Sequence, residues 1–119
     1  MKRSGSIEFI QHGDGNWNFG VTDVVPVPGQ LYHVFGVWDG QTIKCYVDGK
    51  LKCTYGVKTL KHAQITPRHL AVAGNYNGET SFNGAWNGSV VVARMYDSPL
   101  TAEQVAAKTE LKGKIKIVK

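Results

Sequence analysis

The stretch that decides the fold runs Leu31-Tyr32-His33-Val34-Phe35-Gly36-Val37-Trp38-Asp39-Gly40. It continues through Gln41-Thr42 into Ile43-Lys44-Cys45-Tyr46-Val47-Asp48-Gly49-Lys50 and closes with Leu51-Lys52-Cys53-Thr54-Tyr55. Two Asp-Gly pairs divide three short runs rich in aromatic and β-branched residues. Asp tolerates positive φ and Gly adopts it freely, so each pair marks a hairpin turn between strands. In the second hairpin Ile43, Cys45 and Val47 alternate with Lys44 and Tyr46. A two-residue loop at Asp48-Gly49 would set Cys45 against Lys52 and bring lysines to the apolar face. A three-residue loop instead unites Ile43, Cys45, Leu51, Cys53 and Tyr55. A one-residue slip inverts every side chain. The pattern therefore predicts the odd loop, with Gly49 left-handed in a bulge, and excludes Val47 directly opposite Lys50.

The same punctuation recurs at Asp14-Gly15, Asn77-Gly78, Asn83-Gly84 and Asn87-Gly88. Between the turns, strands are expected at 6–11, 17–22, 31–38, 42–47, 51–57, 69–74 and 88–96. Segments 31–38 and 89–96 are apolar on both faces, as central strands are. Short strands separated by such turns predict an all-β antiparallel sandwich or jelly roll. One helix is expected, because Thr101 and Gln104 form a capping box that opens Ala102 to about Lys108. It is short and alanine-rich, suited to plugging a sandwich edge. Beyond Gly113, Lys114 to Lys119 alternates lysine and apolar residues and reads as an exposed edge strand.

The chain has 119 residues, enough for one domain, 1–119, with its own core. No apolar run exceeds four residues, as at Val90-Val91-Val92-Ala93, so no transmembrane helix is encoded. Met1-Lys2-Arg3 leads directly into Ser4-Gly5-Ser6, and no signal peptide is read there. The net charge of +5 comes from lysines clustered at 44–61 and 108–119. These are solvated strand edges rather than a nucleic-acid surface, since arginine is scarce and no nucleic-acid signature occurs. Cys45 and Cys53 share a face as direct or diagonal neighbours. A bridge needs Cβ atoms about 3.5–4.5 Å apart, which a diagonal pair misses. Buried free thiols are the expected state, with one bridge as the alternative.

The ordered series resembles a family. Leu31 to Gly40 followed by Ile43 to Lys50 is similar to the central "W-x-H-V-x-x-x-x-D-G … Y-V-D-G-K" hairpins of laminin-G-like domains. These belong to the concanavalin A-like lectin and glucanase superfamily, which includes pentraxins. Leu70-Ala71-Val72-Ala73-Gly74 resembles the family's "L-x-I-G" strand. Phe82-Asn83-Gly84, Val90 to Asp97 and Leu100 to Val105 resemble its closing "F-x-G-x-I-x-x-V-R-I-Y-x-x-x-L-T-x-x-E-V". The likeness covers residues 6 to about 108 and implies a concanavalin A-like jelly roll. Leu31 departs from the pattern, standing where the family usually has Trp. The family's N-terminal strands have no counterpart before Ser6. Three explanations follow: a truncated chain, a partner that supplies the strands, or a homodimer through the open edge.

The resemblance also frames the chemistry. Glucanases of the superfamily carry an E-x-D-x-x-E strand, and glycosidic cleavage needs two carboxyl groups about 5–9.5 Å apart. Here the nine acids sit mostly at turns and caps, and no two lie two or four residues apart on one strand, so no enzyme activity is expected. His33 matches a family strand position and reads as structural. What the resemblance implies is a non-catalytic, lectin-like accessory module that binds carbohydrate or an extracellular protein surface. Such modules are extracellular or periplasmic and are usually attached to a secreted enzyme or adhesin. Aromatics that stack on sugar rings and amides that bond hydroxyls make Trp17, Asn75, Tyr76, Asn77 and Trp86 the ligand-binding candidates. Many members hold a rim calcium, for which Asn75, Asn77 and Glu79 are the candidate oxygen donors. No D-x-D-x-D-G loop accompanies them, so calcium stays open, and no other cofactor is implied. The alternative is a ligand-free structural or assembly domain that dimerises or docks through its open sheet edge.

Overall fold

The computed structural model describes residues 5–13, 16–56, 75–76, 82–83 and 88–114. The chain divides into two compact units, one from Met1–His62 with Ser98–Lys119 and one from Ala63–Asp97.

The first unit opens with the antiparallel hairpin β1 (Glu8–Gly13) and β2 (Asn16–Val21). Pairing of Gly13 with Asn16 leaves Asp14-Gly15 as a two-residue connection. Beyond the strand ends Thr22 continues the tie. Its amide and hydroxyl both donate to the Ile7 carbonyl, at 3.0 and 2.7 Å, and the Ile7 amide donates to Val24 at 2.8 Å. Thr22 is thus buried with its polar atoms satisfied.

A three-stranded antiparallel sheet follows, β3 (Val34–Trp38), β4 (Thr42–Val47) and β5 (Lys50–Gly56), in spatial order β3-β4-β5. Asp39 closes the β3–β4 turn, its Oδ1 accepting from the amides of Gln41 and Thr42 at 2.9 and 2.7 Å. Gly40 takes the positive φ of 93° that the bend requires. The central strand is therefore β4 and not the 31–38 segment. Ile43, Cys45, Tyr46 and Val47 are all buried, whereas Val34 at the start of β3 is half exposed. Hydrophobicity on both faces did not distinguish them, because β3 is also covered on both sides while lying at the sheet edge among the described residues.

The two faces of the sheet hold separate clusters. On one, Phe9, Trp38 and Cys53 pack around Ile43 and Cys45, with the β1–β2 hairpin as the cover. Gly20 and Gly36 make this close approach feasible. The Phe9 ring lies directly on Gly36, where a Cβ would overlap it, and a Cβ at Gly20 would stand 2.9 Å from Cys45 Sγ. On the other face Val37, Tyr46 and Val105 form a cluster bordered by Phe35 and Leu100. Val105 comes from helix α1 (Ala102–Thr109), which begins as the sequence predicts. Thr101 accepts from the Gln104 amide and Gln104 returns a bond to the Thr101 amide, completing the capping box. The helix lies on a sheet face rather than plugging an edge, because one fully buried valine anchors it over Tyr46 and Val37.

The β4–β5 hairpin corrects the expected register. Val47 stands directly opposite Lys50, across a two-residue turn with Asp48 at φ 50° and Gly49 at φ 79°. Those angles match the left-handed requirement of a type I′ turn, whose twist suits the flanking strands. Hydrophobic alternation is restored farther along instead. The register shifts between Cys45 and Tyr46, so that Lys52 is an extra, unpaired residue and Cys45 faces Cys53. Ile43, Cys45, Cys53 and Tyr55 thus share a face as expected, but Leu51 pairs with Tyr46 on the opposite face and is half exposed.

After α1 a 3-10 turn spans Glu110–Lys114. Lys114 therefore ends a helical turn rather than starting an edge strand, and residues 115–119 of that expected strand lie outside the described residues. In the second unit, β6 (Asn75–Tyr76) pairs with β7 (Phe82–Asn83). The strand expected at 69–74 lies outside the described residues. The strand expected at 88–96 does not form: no ladder covers it, and Val90, Val91, Val92 and Met95 are exposed. An apolar run becomes a strand only when a neighbouring backbone takes its amides and carbonyls, and none of the described residues does so in register.

Candidate functional site

Three titratable side chains, His33, Asp48 and Lys112, gather at the Asp48 turn. Asp48 donates its amide to the His33 carbonyl at 2.8 Å, and its Oδ1 accepts from the His33 amide at 3.0 Å. This reciprocal pair extends the β3–β4 ladder beyond Val34. The same oxygen accepts from Lys112 Nζ at 2.8 Å. Burial alone would raise the Asp48 pKa, but the His33 amide, the Lys112 ammonium and the His33 ring outweigh it and hold the carboxyl below its usual value. The His33 ring reaches the other way. Its Nδ1 lies 2.8 Å from Thr109 Oγ1, which also donates to the Val105 carbonyl at 3.2 Å. Burial lowers the His33 pKa; nearby Asp48 opposes this and Lys112 adds to it.

The residue types resemble those of a nucleophile and base, but the geometry does not. An activated hydroxyl gives its proton to an imidazole that a carboxylate orients through its second nitrogen. Here Asp48 binds the His33 backbone, and the Thr109 hydroxyl already serves a main-chain carbonyl. The cluster joins strand, turn and helix end. Asp48 and His33 were legible as a turn residue and a strand residue. Thr109 and Lys112, which complete the cluster, carry no sequence signal: they meet the turn only through the docked helix.

Of the ligand-binding candidates, Trp17 lies on β2 opposite His12, near the connecting end of the hairpin, and is 62% exposed. Beside it in the hairpin Asn18 Nδ2 donates to Gln11 Oε1 at 3.0 Å, so that amide already has a partner within the hairpin. Asn75 and Tyr76 form β6 in the second unit, with Asn83 and Phe82 as their register partners. Asn77 and Trp86 lie outside the described residues. The same holds for Glu79, so of the candidate calcium donors only the Asn75 backbone is placed.

A second chemical feature lies under the hairpin. Cys45 and Cys53 are direct cross-strand partners and both are free thiols, Cys45 buried and Cys53 partly exposed. Cys45 Sγ donates to the Gly20 carbonyl at 3.5 Å. Burial, reinforced by the neighbouring Cys53 thiol, pushes the Cys45 pKa up to about 11.

No helix among the described residues is long and apolar enough to cross a membrane. Comparison with curated proteins and with solved structures gives no match. A family model does match: the laminin G-type model of the concanavalin A-like lectin/glucanases superfamily aligns with residues 1–106. That span contains both paired hairpins, the second-unit strand pair and the capping box of α1. With nearly the whole chain accounted for, this protein belongs to the concanavalin A-like lectin/glucanases superfamily as a laminin G-like domain.

Proposed function

We propose that the chain is a single non-catalytic binding module whose ligand is carbohydrate, carried as an accessory domain of a secreted enzyme or adhesin. Membership of a lectin-like superfamily supports a binding role. The observation that carries the sugar reading is Trp17, a large aromatic held on a strand yet 62% exposed. An indole presented this way exposes apolar ring surface, the contact that the face of a sugar ring accepts. Asn75, Tyr76, Asn77 and Trp86 supply the same chemistry from the second unit.

Glycan-array binding of the intact chain, with and without calcium, tests the reading. Trp17→Ala is expected to weaken binding to a retained glycan about tenfold, equivalent to ~1.4 kcal/mol. The paired change of Tyr76 and Asn77 to Ala is expected to weaken it as well. Unchanged binding in both variants removes the proposed sites, and absence of any glycan ligand removes the sugar reading.

A second reading has one observation in its favour. β5 is an edge of its sheet among the described residues and exposes Leu51 and Tyr55, at 51% and 42%. A strand edge of this kind can pair with another chain, although Lys50 and Lys52 oppose it. Under this reading the domain serves assembly, and a solution mass above 13.0 kDa would distinguish it.

A further inference from the structure

We propose that Cys45 and Cys53 are a redox-closable pair, which a low-molecular-weight disulfide of the glutathione type converts into an intramolecular cross-strand disulfide joining β4 to β5. The pair exists because of the bulge. Continued from the Asp48-Gly49 turn without a shift, the ladder would set Lys52 against Cys45; the extra residue moves Cys53 into that position. Directly opposed residues of an antiparallel pair have Cα atoms about 4.5–5.5 Å apart, inside the ~4.4–6.8 Å that a disulfide spans.

Cross-strand partners project from the same face, and both sulfurs here converge on one point above the sheet. A Cβ placed on Gly20 would meet Cys45 Sγ at 2.9 Å and Cys53 Sγ at 3.6 Å. Gly20 itself places no side chain over the pair, where a Cβ would crowd both sulfurs and Ile43 Cγ2.

Access orders the chemistry. Cys53 is the more exposed thiol and is the entry point. Its thiolate attacks one sulfur of the small disulfide RSSR, forming a mixed disulfide and releasing RS⁻, which takes up the proton that Cys53 lost. Cys45 then gives its proton to solvent and attacks Cys53 Sγ, forming the internal bond and expelling the second RS⁻. In sum, two protein thiols and one RSSR give one protein disulfide and two RSH. The two electrons lost by the protein reduce the small disulfide. Because burial keeps Cys45 protonated, closure is slow at neutral pH and accelerates as pH rises. The chemistry is independent of what the module binds.

The test incubates the folded chain with oxidised glutathione, then denatures it and alkylates any remaining thiols before mass spectrometry. Trypsin cleaves after Lys44, Lys50, Lys52 and Lys58, so closure links peptides 45–50 and 53–58 into a single species. The expected result is a monomer with no alkylated cysteine, that linked peptide, and a melting temperature raised by about 5–10 °C and reversed by dithiothreitol. Cys45→Ser is expected to hold a persistent glutathione adduct on Cys53, since its resolving thiol is gone. Two alkylated thiols under conditions that oxidise a reference dithiol would overturn the proposal. So would a disulfide-linked dimer, or a stable adduct on Cys53 in the unsubstituted chain.

Discussion

Gly36→Ala is the most discriminating perturbation of this fold. Gly36 has no left-handed backbone to protect, so adding a methyl group within a strand would ordinarily stabilise by about 0.5–1 kcal/mol. The structure reverses that sign. The ring of Phe9 rests on the Gly36 backbone, and a Cβ there would overlap ring carbons Cγ, Cδ2 and Cε2. Either the ring leaves its place against Ile43 and Cys45 or the β1–β2 hairpin lifts from the sheet. Overpacking of a well-fitted contact costs about 1–3 kcal/mol, and loss of part of a phenylalanine's burial adds to it. The expected net destabilisation is ~2–4 kcal/mol, a fall in melting temperature of roughly 10–20 °C. Urea unfolding of four proteins measures it: the parent, Gly36→Ala, Phe9→Ala and the double variant. Removing the ring removes the clash, so the double variant should be more stable than the sum of the single losses predicts, by at least ~1 kcal/mol. Neutral Gly36→Ala, or strict additivity, would refute the placement of β1 across β3.

Three further outcomes follow from the Asp48 cluster and the helix. Asp48→Ala should cost about 2–3 kcal/mol in urea unfolding, because alanine is strained at φ 50° and the His33 amide loses its acceptor. Asp48→Asn tolerates that φ and keeps an acceptor oxygen, so it should cost only ~1 kcal/mol or less, the scale of the half-exposed Lys112 pair. The His33 pKa is lowered in the folded state, so below the ordinary value of 6.5 the unfolded chain binds more protons than the folded one. Stability is therefore full above pH 6.5 and falls as pH drops towards the folded value. His33→Gln should flatten that part of a stability-versus-pH curve. Thr101→Ala removes the acceptor for the Gln104 amide and should lower stability by about 1 kcal/mol, read by circular dichroism as earlier loss of helix.

Local signals in the sequence carried much of this architecture. Asp39-Gly40 and Asp48-Gly49 are turns because their φ preferences act within two residues, and the Thr101–Gln104 box is complete within four. Register was harder to read. Two devices satisfy the same hydrophobic pattern in β4–β5: an odd loop, or a two-residue turn followed by a bulge. Alternation alone cannot separate them, since both place Cys45 and Cys53 on one face. The turn decides, because Asp-Gly fits a type I′ geometry that also lets Asp48 bond both ways to His33. Leu51 shows the difference. It lies on the turn side of the bulge, with Tyr46, and so on the face opposite the one that alternation gave it.

The candidate site divides along the same line. Trp17 was named a ligand-binding candidate because aromatic side chains stack on sugar rings, and the structure shows it 62% exposed on β2. The Asp48 cluster was not legible, because each member has a sufficient local explanation. Aspartate makes the turn, histidine occupies a strand, threonine ends a helix and lysine follows it. Their meeting is a consequence of docking: Val105 seats the helix on Tyr46 and Val37, and only then does Thr109 reach His33 and Lys112 reach Asp48. The polar network thus depends on the apolar one. Val105→Ala, which empties a fully buried position, should loosen the Thr109 and Lys112 contacts together while leaving the Asp48–His33 backbone pair in place. Amide hydrogen exchange can separate the two. Faster exchange across 102–109 with an unchanged Asp48 amide would show that the helix docks onto a hairpin already formed. Faster exchange at both would show that the turn needs the helix.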